Sequence, residues 1–112
     1  HPDIVRQVHL DYLEAGAEVI ISNSFATHFH ALEAAGAGAR FEDYNRRAVE
    51  LAVEARAAGG HDKALVAGGI SYWSWRGDMP SATEMQAATS RQAGIMKAAG
   101  ADLTAFLPNR NF

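Results

Sequence analysis

The chain has no cysteine and no strong excess of charge of either sign. Without thiols it can form neither a disulfide framework nor a thiolate metal site of its own. No apolar run approaches the roughly 20 residues that cross a bilayer, and no basic segment precedes an apolar one, so we expect neither a membrane span nor a signal peptide. The 10 basic and 13 acidic residues are mixed along the chain and offer no basic surface for nucleic acid.

The residues that are present have the proportions of a folded globular domain, with 48% hydrophobic and 21% charged residues among 112. Surface scaling gives about 6,000 Å² of folded surface against about 17,000 Å² for the unfolded chain, so a sizeable core can form. The first residue is His1 rather than methionine, which favours a segment of a longer protein. We interpret residues 1–112 as one partial domain.

Hydrophobic spacing predicts three helices and three short strands in alternation. The helices are expected over residues 1–16, 41–58 and 81–99, and the strands over residues 19–21, 64–67 and 101–107. The β-branched run at residues 19–21 is typical of a strand buried on both faces. Residues 26–40 show no clean period and are expected to form a long loop with room for one helical turn. The predicted inner stripe of the first helix is Ile4, Val5, Val8, Tyr12 and Leu13, with His9 exposed.

Two helix ends share a signature in which a glycine is followed by alanine, an acidic residue and an apolar strand. It occurs as AGAEV at residues 15–19 and as AGADL at residues 99–103. This arrangement is typical of repeated βα units around a parallel sheet, as in a (β/α)₈ barrel or a doubly wound sheet. Because a complete barrel takes about 250 residues, this α/β chain can hold only about three of its eight strands.

In both folds ligands bind beyond the carboxyl ends of the strands, which directs attention to residues 22–30, residues 68–75 and the segment from Leu107 onward. Asn23 directly follows a strand, where its amide can donate to and accept from a ligand. The alternative is that Asn23 or Ser24 only satisfies backbone groups of the loop.

Three large rings, Tyr72, Trp73 and Trp75, follow the second strand. Aromatic faces attract cations, so these rings can form a wall for a sulfonium or quaternary ammonium group. The alternative is that they pack over the mouth of the barrel. The preceding Gly68 and Gly69 permit a sharp turn or a close ligand approach, but they lack the spacing of a phosphate loop.

His28 and His30 have a spacing that can bind a metal on a strand, but here they fall in an alanine-rich loop without a third ligand. Surface or capping histidines are the favoured interpretation. The sequence shows no Ser-His-Asp arrangement and no paired carboxylates at strand ends, so nucleophilic catalysis and glycoside hydrolysis have no support.

Four blocks of the sequence carry a specific combination of motifs. The most specific is PDIVRQVHLDYLEAGAEVIISNSF at residues 2–25, and the others are the E-x-x-N-x-x-A helix at residues 42–56, AGGI at residues 67–70 and residues 92–103. Together they resemble the homocysteine S-methyltransferase family, which includes betaine–homocysteine methyltransferase and the homocysteine domain of cobalamin-dependent methionine synthase. The resemblance covers nearly the whole chain, except residues 108–112.

The resemblance implies a fragment of a (β/α)₈ TIM barrel from a cytoplasmic enzyme. In that family zinc holds homocysteine as a thiolate, which attacks a methyl group carried by a sulfonium, a quaternary ammonium, or a folate or cobalamin donor. The family's zinc ligands are cysteines on late strands. The resemblance therefore implies zinc in the full-length parent, none bound by this chain, and no activity of the isolated chain.

The family motifs map onto two turns of this sequence. The NSF triplet matches the end of the family's T-N-[ST]-[FY] motif, while two residues of the next turn stand in place of the family's Gly-Pro. Leu107 stands where the family has a glutamate that holds the amine of homocysteine. The candidate substrate-binding residues are Asn23, Ser24, Phe25, Ser71, Tyr72, Trp73 and Trp75.

The expected partners are homocysteine and a small methyl donor, with no nucleic acid and no membrane. Self-association through the open barrel edges is also expected, because unpaired strand edges template association. Two alternatives remain open. One is a different barrel enzyme that binds a phosphate ester at the Gly68-Gly69 turn, and the other is a non-catalytic truncated domain.

Overall fold

A computed structural model describes residues 1–74 and 77–107 of the chain. Within these residues three parallel strands form one sheet in the order β1-β2-β3. The elements, in chain order, are α1 (Pro2–Glu14), β1 (Val19–Ile21), α2 (Phe29–Ala34), a 3₁₀ turn (Gly38–Arg40), α3 (Phe41–Gly59), β2 (Leu65–Ile70), α4 (Ala82–Ala98) and β3 (Leu103–Phe106). The predicted alternation of helices and parallel strands is confirmed.

The core lies between one face of the sheet and three helices. Side chains of a strand alternate between the two faces, and Ile20, Val66 and Ile70 point to the helices. The helices contribute Leu13 from α1, Val49 and two alanines from α3, and Met96 from α4. Because Val49, Val66 and Met96 are fully buried, this interface between helices and sheet stabilises the folded chain through the hydrophobic effect.

The glycine of each repeated signature ends a helix, as the sequence predicts. Gly16 and Gly100 follow α1 and α4 with φ of 104° and 114°, a conformation that glycine adopts without a steric penalty. The acidic residue of the second signature also has a function, since Asp102 accepts a hydrogen bond of 2.9 Å from the backbone N–H of Val66. Its carboxylate is 2.7 Å from the guanidinium of Arg56, so it ties α3, β2 and β3 together.

Gly68 and Gly69 lie inside β2 and not in a turn after it. A Cβ at Gly68 would lie 2.5 Å from the Met96 sulfur, and a Cβ at Gly69 would lie 2.8 Å from a methyl carbon of Ile21. The two glycines therefore allow close packing on opposite faces of the sheet. The backbone N–H of Gly69 already donates to Ser22, so the alternative of a phosphate-binding turn here loses its basis.

The prediction that the first strand is buried on both faces is wrong for this chain. Val19 and Ile21 are 46% and 41% exposed, and Leu65 and Leu103 on the same face are exposed to a similar extent. The described residues contain no layer over this face. A closed barrel places such a face in its interior, where the other strands cover it.

The predicted inner stripe of α1 is also partly wrong. His9 is buried, whereas Ile4, Val8 and Tyr12 are exposed. The apolar residues of α1 have the expected helical spacing, but α1 packs on α3 and the core through Leu13. In this orientation the remaining apolar residues of α1 face the open edge of β1. There Ile4, Val8 and Tyr12 line an apolar groove together with β1.

Residues 26–40 contain more helix than the sequence predicts. The six-residue helix α2 and the 3₁₀ turn fill most of this segment. The helix begins after His28, whose side chain accepts a hydrogen bond from the backbone N–H of Ala31. A helix of this length leaves little periodic signal, and histidine is not among the preferred N-cap residues, so no strong local signal predicts this helix.

Across residues 1–74 and 77–107, none of the helices is long and apolar enough to cross a membrane. 

Candidate functional site

The loops after β1 and β2 meet at the carboxyl edge of the sheet. Ser22 and Ser24 are buried, and their hydroxyl oxygens are 2.8 Å apart. The Ser24 hydroxyl donates to the carbonyl of Gly69 at 2.6 Å, and the N–H of Gly69 donates back to Ser22 at 3.0 Å. This closed set of hydrogen bonds fixes the first loop against the end of the second strand.

An aromatic pair lies on top of this junction. The rings of Phe25 and Trp73 are stacked, with centroids 5.8 Å apart and planes within 9°. The indole N–H of Trp73 donates to the backbone carbonyl of Phe25 at 3.0 Å. Phe25 remains 48% exposed, so the pair presents an aromatic surface to solvent at the end of the sheet where barrel enzymes bind ligands.

His28 and Tyr72 lie next to the pair, and the ring centroids of His28 and Trp73 are 5.4 Å apart. The rings of His28 and Tyr72 are stacked with centroids 4.4 Å apart, and the Tyr72 hydroxyl shares a hydrogen bond of 3.1 Å with His30. His28 is almost completely buried, with one ring nitrogen accepting from Ala31 and the other 3.4 Å from the backbone N–H of Trp73. His28 is therefore a capping histidine, one of the two roles that the sequence favours for it.

The protonated form of His28 does not fit this environment. Burial lowers the pKa of His28 below its ordinary value of 6.5, and burial lowers the pKa of His9 in the same way. A charged imidazole donates from both nitrogens, whereas both nitrogens of His28 face backbone N–H groups. The native chain therefore holds both histidines neutral at pH values where the unfolded chain starts to bind protons.

We predict that the free energy of unfolding falls as the pH is lowered from 7.5 to 5. Between the folded pKa and about 6.5 the unfolded state binds more protons, so each histidine lowers stability by at most about 1.4 kcal/mol per pH unit. Urea unfolding at fixed protein concentration measures this dependence. The double variant His9→Gln/His28→Gln should show a flatter profile than the wild type, and an equally steep profile would contradict the assignment.

The remaining predicted site residues lie at the same edge of the sheet, with different exposure. Asn23 is exposed directly after β1, and Ser71 is fully buried directly after β2. The Ser71 hydroxyl has no hydrogen-bond partner. Trp75 lies outside the described residues. The structure thus brings the two turns together, and a cleft of about 520 Å³ opens beside them between His30, Trp73 and Asp78.

The described part of the chain shows no group of three histidine or carboxylate side chains that could hold a metal ion. His28 and His30 do not converge on a common point, because His28 caps α2 and His30 contacts Tyr72. With no cysteine in the sequence, the side chains of residues 1–74 and 77–107 do not fit a metal centre.

The sequence of the chain matches a known protein family. The family model described as homocysteine S-methyltransferase matches residues 1–107. The chain belongs to the homocysteine S-methyltransferase family. The resemblance drawn from the sequence motifs is confirmed.

Several curated relatives of this chain come from plants. It is 35% identical to homocysteine S-methyltransferase 4 of Zea mays, covering 97% of this chain and 39% of that protein. It is 30% identical to the selenocysteine Se-methyltransferase of Brassica oleracea var. italica, with the same two coverages. The chain thus spans about two fifths of the length of these relatives.

The solved structure of the homocysteine methyltransferase MmuM from Escherichia coli, in its metallated form, is similar in fold to this chain. The TM-score is 0.81 at 31% identity, and the match covers 95% of this chain but 42% of that one. The expected fold, a fragment of a TIM barrel with three parallel strands, is confirmed, although the described residues form four α-helices where three were predicted.

A buried polar network behind the first loop is not among the features predicted from the sequence. Asn45 and Gln92 are fully buried and bonded to each other at 2.8 Å. Neither residue is among the predicted site residues, although Asn45 belongs to the E-x-x-N-x-x-A motif of residues 42–56 and Gln92 begins the block at residues 92–103. A polar side chain on an apolar helix face is the signal that could have found both.

Proposed function

We propose that the chain is part of a cytoplasmic enzyme that transfers a methyl group from a sulfonium or quaternary ammonium donor to homocysteine, giving methionine. Residues 1–112 would form a partial homocysteine-binding barrel domain. The stacked pair of Phe25 and Trp73 carries the proposal, because it offers an aromatic surface beyond the strand ends in a chain of this family.

The donors of this reaction are cations, which fits the aromatic pair. A cation within about 6 Å of a ring centroid is attracted by the negative face of the ring, most strongly for tryptophan. In the reaction the sulfur of homocysteine, having lost its proton, bonds to the methyl carbon. The bond from that carbon to the donor heteroatom breaks, and its electron pair leaves with a donor that is now neutral. The role of Phe25 and Trp73 is to hold the cation before transfer.

The other candidate residues surround this surface. The exposed amide of Asn23 can hydrogen-bond an amino-acid substrate. The Ser71 hydroxyl is fully buried, so it can donate to a substrate only after the loop that follows β2 moves. Ser24 and Tyr72 support the loops through their contacts with Gly69 and His30. Trp75, which is outside the described residues, is proposed as a further donor-side residue on sequence grounds alone.

The zinc ion that the family resemblance implies does not fit the residues of this chain. No cysteine is present, and the described histidines and carboxylates do not form a cluster. We therefore assign zinc binding to the part of the full-length enzyme outside this chain. We propose that the isolated chain is inactive and self-associates through its uncovered sheet face and strand edges, where Val19, Ile21 and Leu65 are exposed.

Methyl transfer by the full-length protein tests the proposed function. Purified with zinc and given homocysteine, it should convert a methylsulfonium amino acid or a trimethylammonium donor carrying an isotopically labelled methyl group into labelled methionine. The isolated chain, under the same conditions, should give none. Absence of labelled methionine from the full-length protein with both donors would refute the function, and turnover by the isolated chain would refute its proposed inactivity.

A further inference from the structure

Asn45 uses its whole hydrogen-bonding capacity to connect three separate segments. Its amide nitrogen donates to the backbone carbonyls of Thr27 at 2.9 Å and Phe41 at 2.8 Å. Its amide oxygen accepts from the Thr27 hydroxyl and from the side chain of Gln92, both at 2.8 Å. Two donors and two acceptors are the full capacity of an asparagine side chain, so no other orientation of this amide satisfies all its neighbours.

The hydrogen bonds continue from Asn45 to the candidate site. The backbone N–H of Thr27 donates to the carbonyl of Ser24 at 3.3 Å. The same carbonyl lies 3.0 Å from the Thr27 hydroxyl, whose single hydrogen is shared between this carbonyl and Asn45. Ser24 in turn bonds to the end of β2 through Gly69. A continuous path therefore runs from α4 through α3 to the loop that carries Phe25.

The network is buried, so each hydrogen bond that it loses is costly. Asn45 is 0% exposed, and a buried amide that loses a partner retains the cost of its desolvation. Among the described residues, Gln92 is held in this network through Asn45 alone, because its own amide oxygen has no partner. Asn45 is the member that joins α4 to the loop.

We propose that Asn45 is a positioning residue of the methyltransferase, which sets the place of residues 23–28 and thereby the angle at which Phe25 meets the methyl donor. This inference rests on the proposed function. Asn45 acts on the aromatic pair through Thr27, with which it shares two hydrogen bonds. Its contribution is to keep the loop in one conformation before the substrates arrive, so that binding does not have to order the loop.

The first test is amide hydrogen exchange of the loop, which needs no catalytic activity. Thr27→Val removes the hydroxyl with little change of shape, and Thr27→Ser keeps it. With Thr27→Val the amides of Ser24, Thr27 and Ala31 should exchange about tenfold faster, and with Thr27→Ser they should stay near the wild-type rate. Under conditions where the Asn45→Ala variant is folded, it should accelerate exchange of the same amides more than Thr27→Val does.

Val49→Ala is the matched control, because it removes core volume from the same helix without touching the loop. Val49→Ala should lower the free energy of unfolding. It should leave the ratio of exchange rates between the loop amides and the β2 amides unchanged. Equal acceleration of exchange in the loop and in β2 for Thr27→Val, or equal rates for Thr27→Val and Thr27→Ser, would overturn the positioning role.

The second test is steady-state kinetics of the full-length protein at a temperature where all variants are folded. Thr27→Val should raise the KM for the donor about tenfold, with a smaller change in the KM for homocysteine, and Thr27→Ser should restore the wild-type values. Unchanged donor KM in Thr27→Val would overturn the proposal. If the wild-type protein transfers no methyl group, the proposed function fails, and the exchange experiment still decides whether Asn45 positions the loop.

Discussion

Met96→Ala is expected to lower the free energy of unfolding of the chain by about 2–5 kcal/mol. Met96 is fully buried where α4 crosses β2, and its side chain fills the space above Gly68. Truncation leaves a cavity between helix and sheet that the surrounding backbone cannot close. Urea unfolding at fixed protein concentration measures the change.

The same contact predicts a specific compensation. Gly68→Ala alone should cost about 1–3 kcal/mol, because its new Cβ would lie 2.5 Å from the Met96 sulfur and 3.0 Å from the Met96 Cβ. In the double variant the new methyl group enters the cavity left by Met96→Ala. The combined loss should therefore be at least about 1 kcal/mol smaller than the sum of the single losses. Strict additivity would show that α4 does not pack on Gly68.

Trp73→Ala in the full-length protein is expected to lower kcat/KM for the methyl donor about 100-fold. The change removes the ring that we propose attracts the cation, and it also frees Phe25 from its stacking and from the indole hydrogen bond. Trp73→Phe keeps an aromatic face and should retain activity within about tenfold of the wild type. Initial rates at varied donor concentration, with homocysteine saturating, measure both effects.

Tyr44→Ala provides the control for the loss of an aromatic side chain. Tyr44 is a partly exposed residue of α3 outside the candidate site, so its removal should leave kcat/KM for the donor unchanged. A donor site elsewhere would be indicated if Trp73→Ala and Tyr44→Ala had equal effects.

The order of elements could be predicted from the sequence because its signals are local. The glycines at residues 16 and 100 end helices by their own conformational freedom, and Ser81 caps α4 through the backbone N–H of Glu84 as its spacing predicts. The position of the candidate site could also be predicted from the sequence, because the carboxyl ends of parallel strands lie at one edge of the sheet.

What could not be predicted depends on neighbours that are distant in sequence. The apolar stripe of α1 shows that one face is hydrophobic, but burial of His9 and exposure of Tyr12 depend on how α1 sits against α3. Gly68 and Gly69 suggested a turn because their packing partners, Met96 and Ile21, are not sequence neighbours. The partners of Asn45 are separated from it by as many as 47 positions, which no local pattern can reveal.

A crystal structure of the full-length protein, with homocysteine and an unreactive analogue of the cationic donor, tests the account most directly. It should show the three strands continuing into a closed barrel that covers Val19 and Ile21. The cationic group should lie within about 6 Å of the ring centroid of Phe25 or Trp73. A donor bound at the opposite end of the strands, or a sheet face still open to solvent, would contradict it.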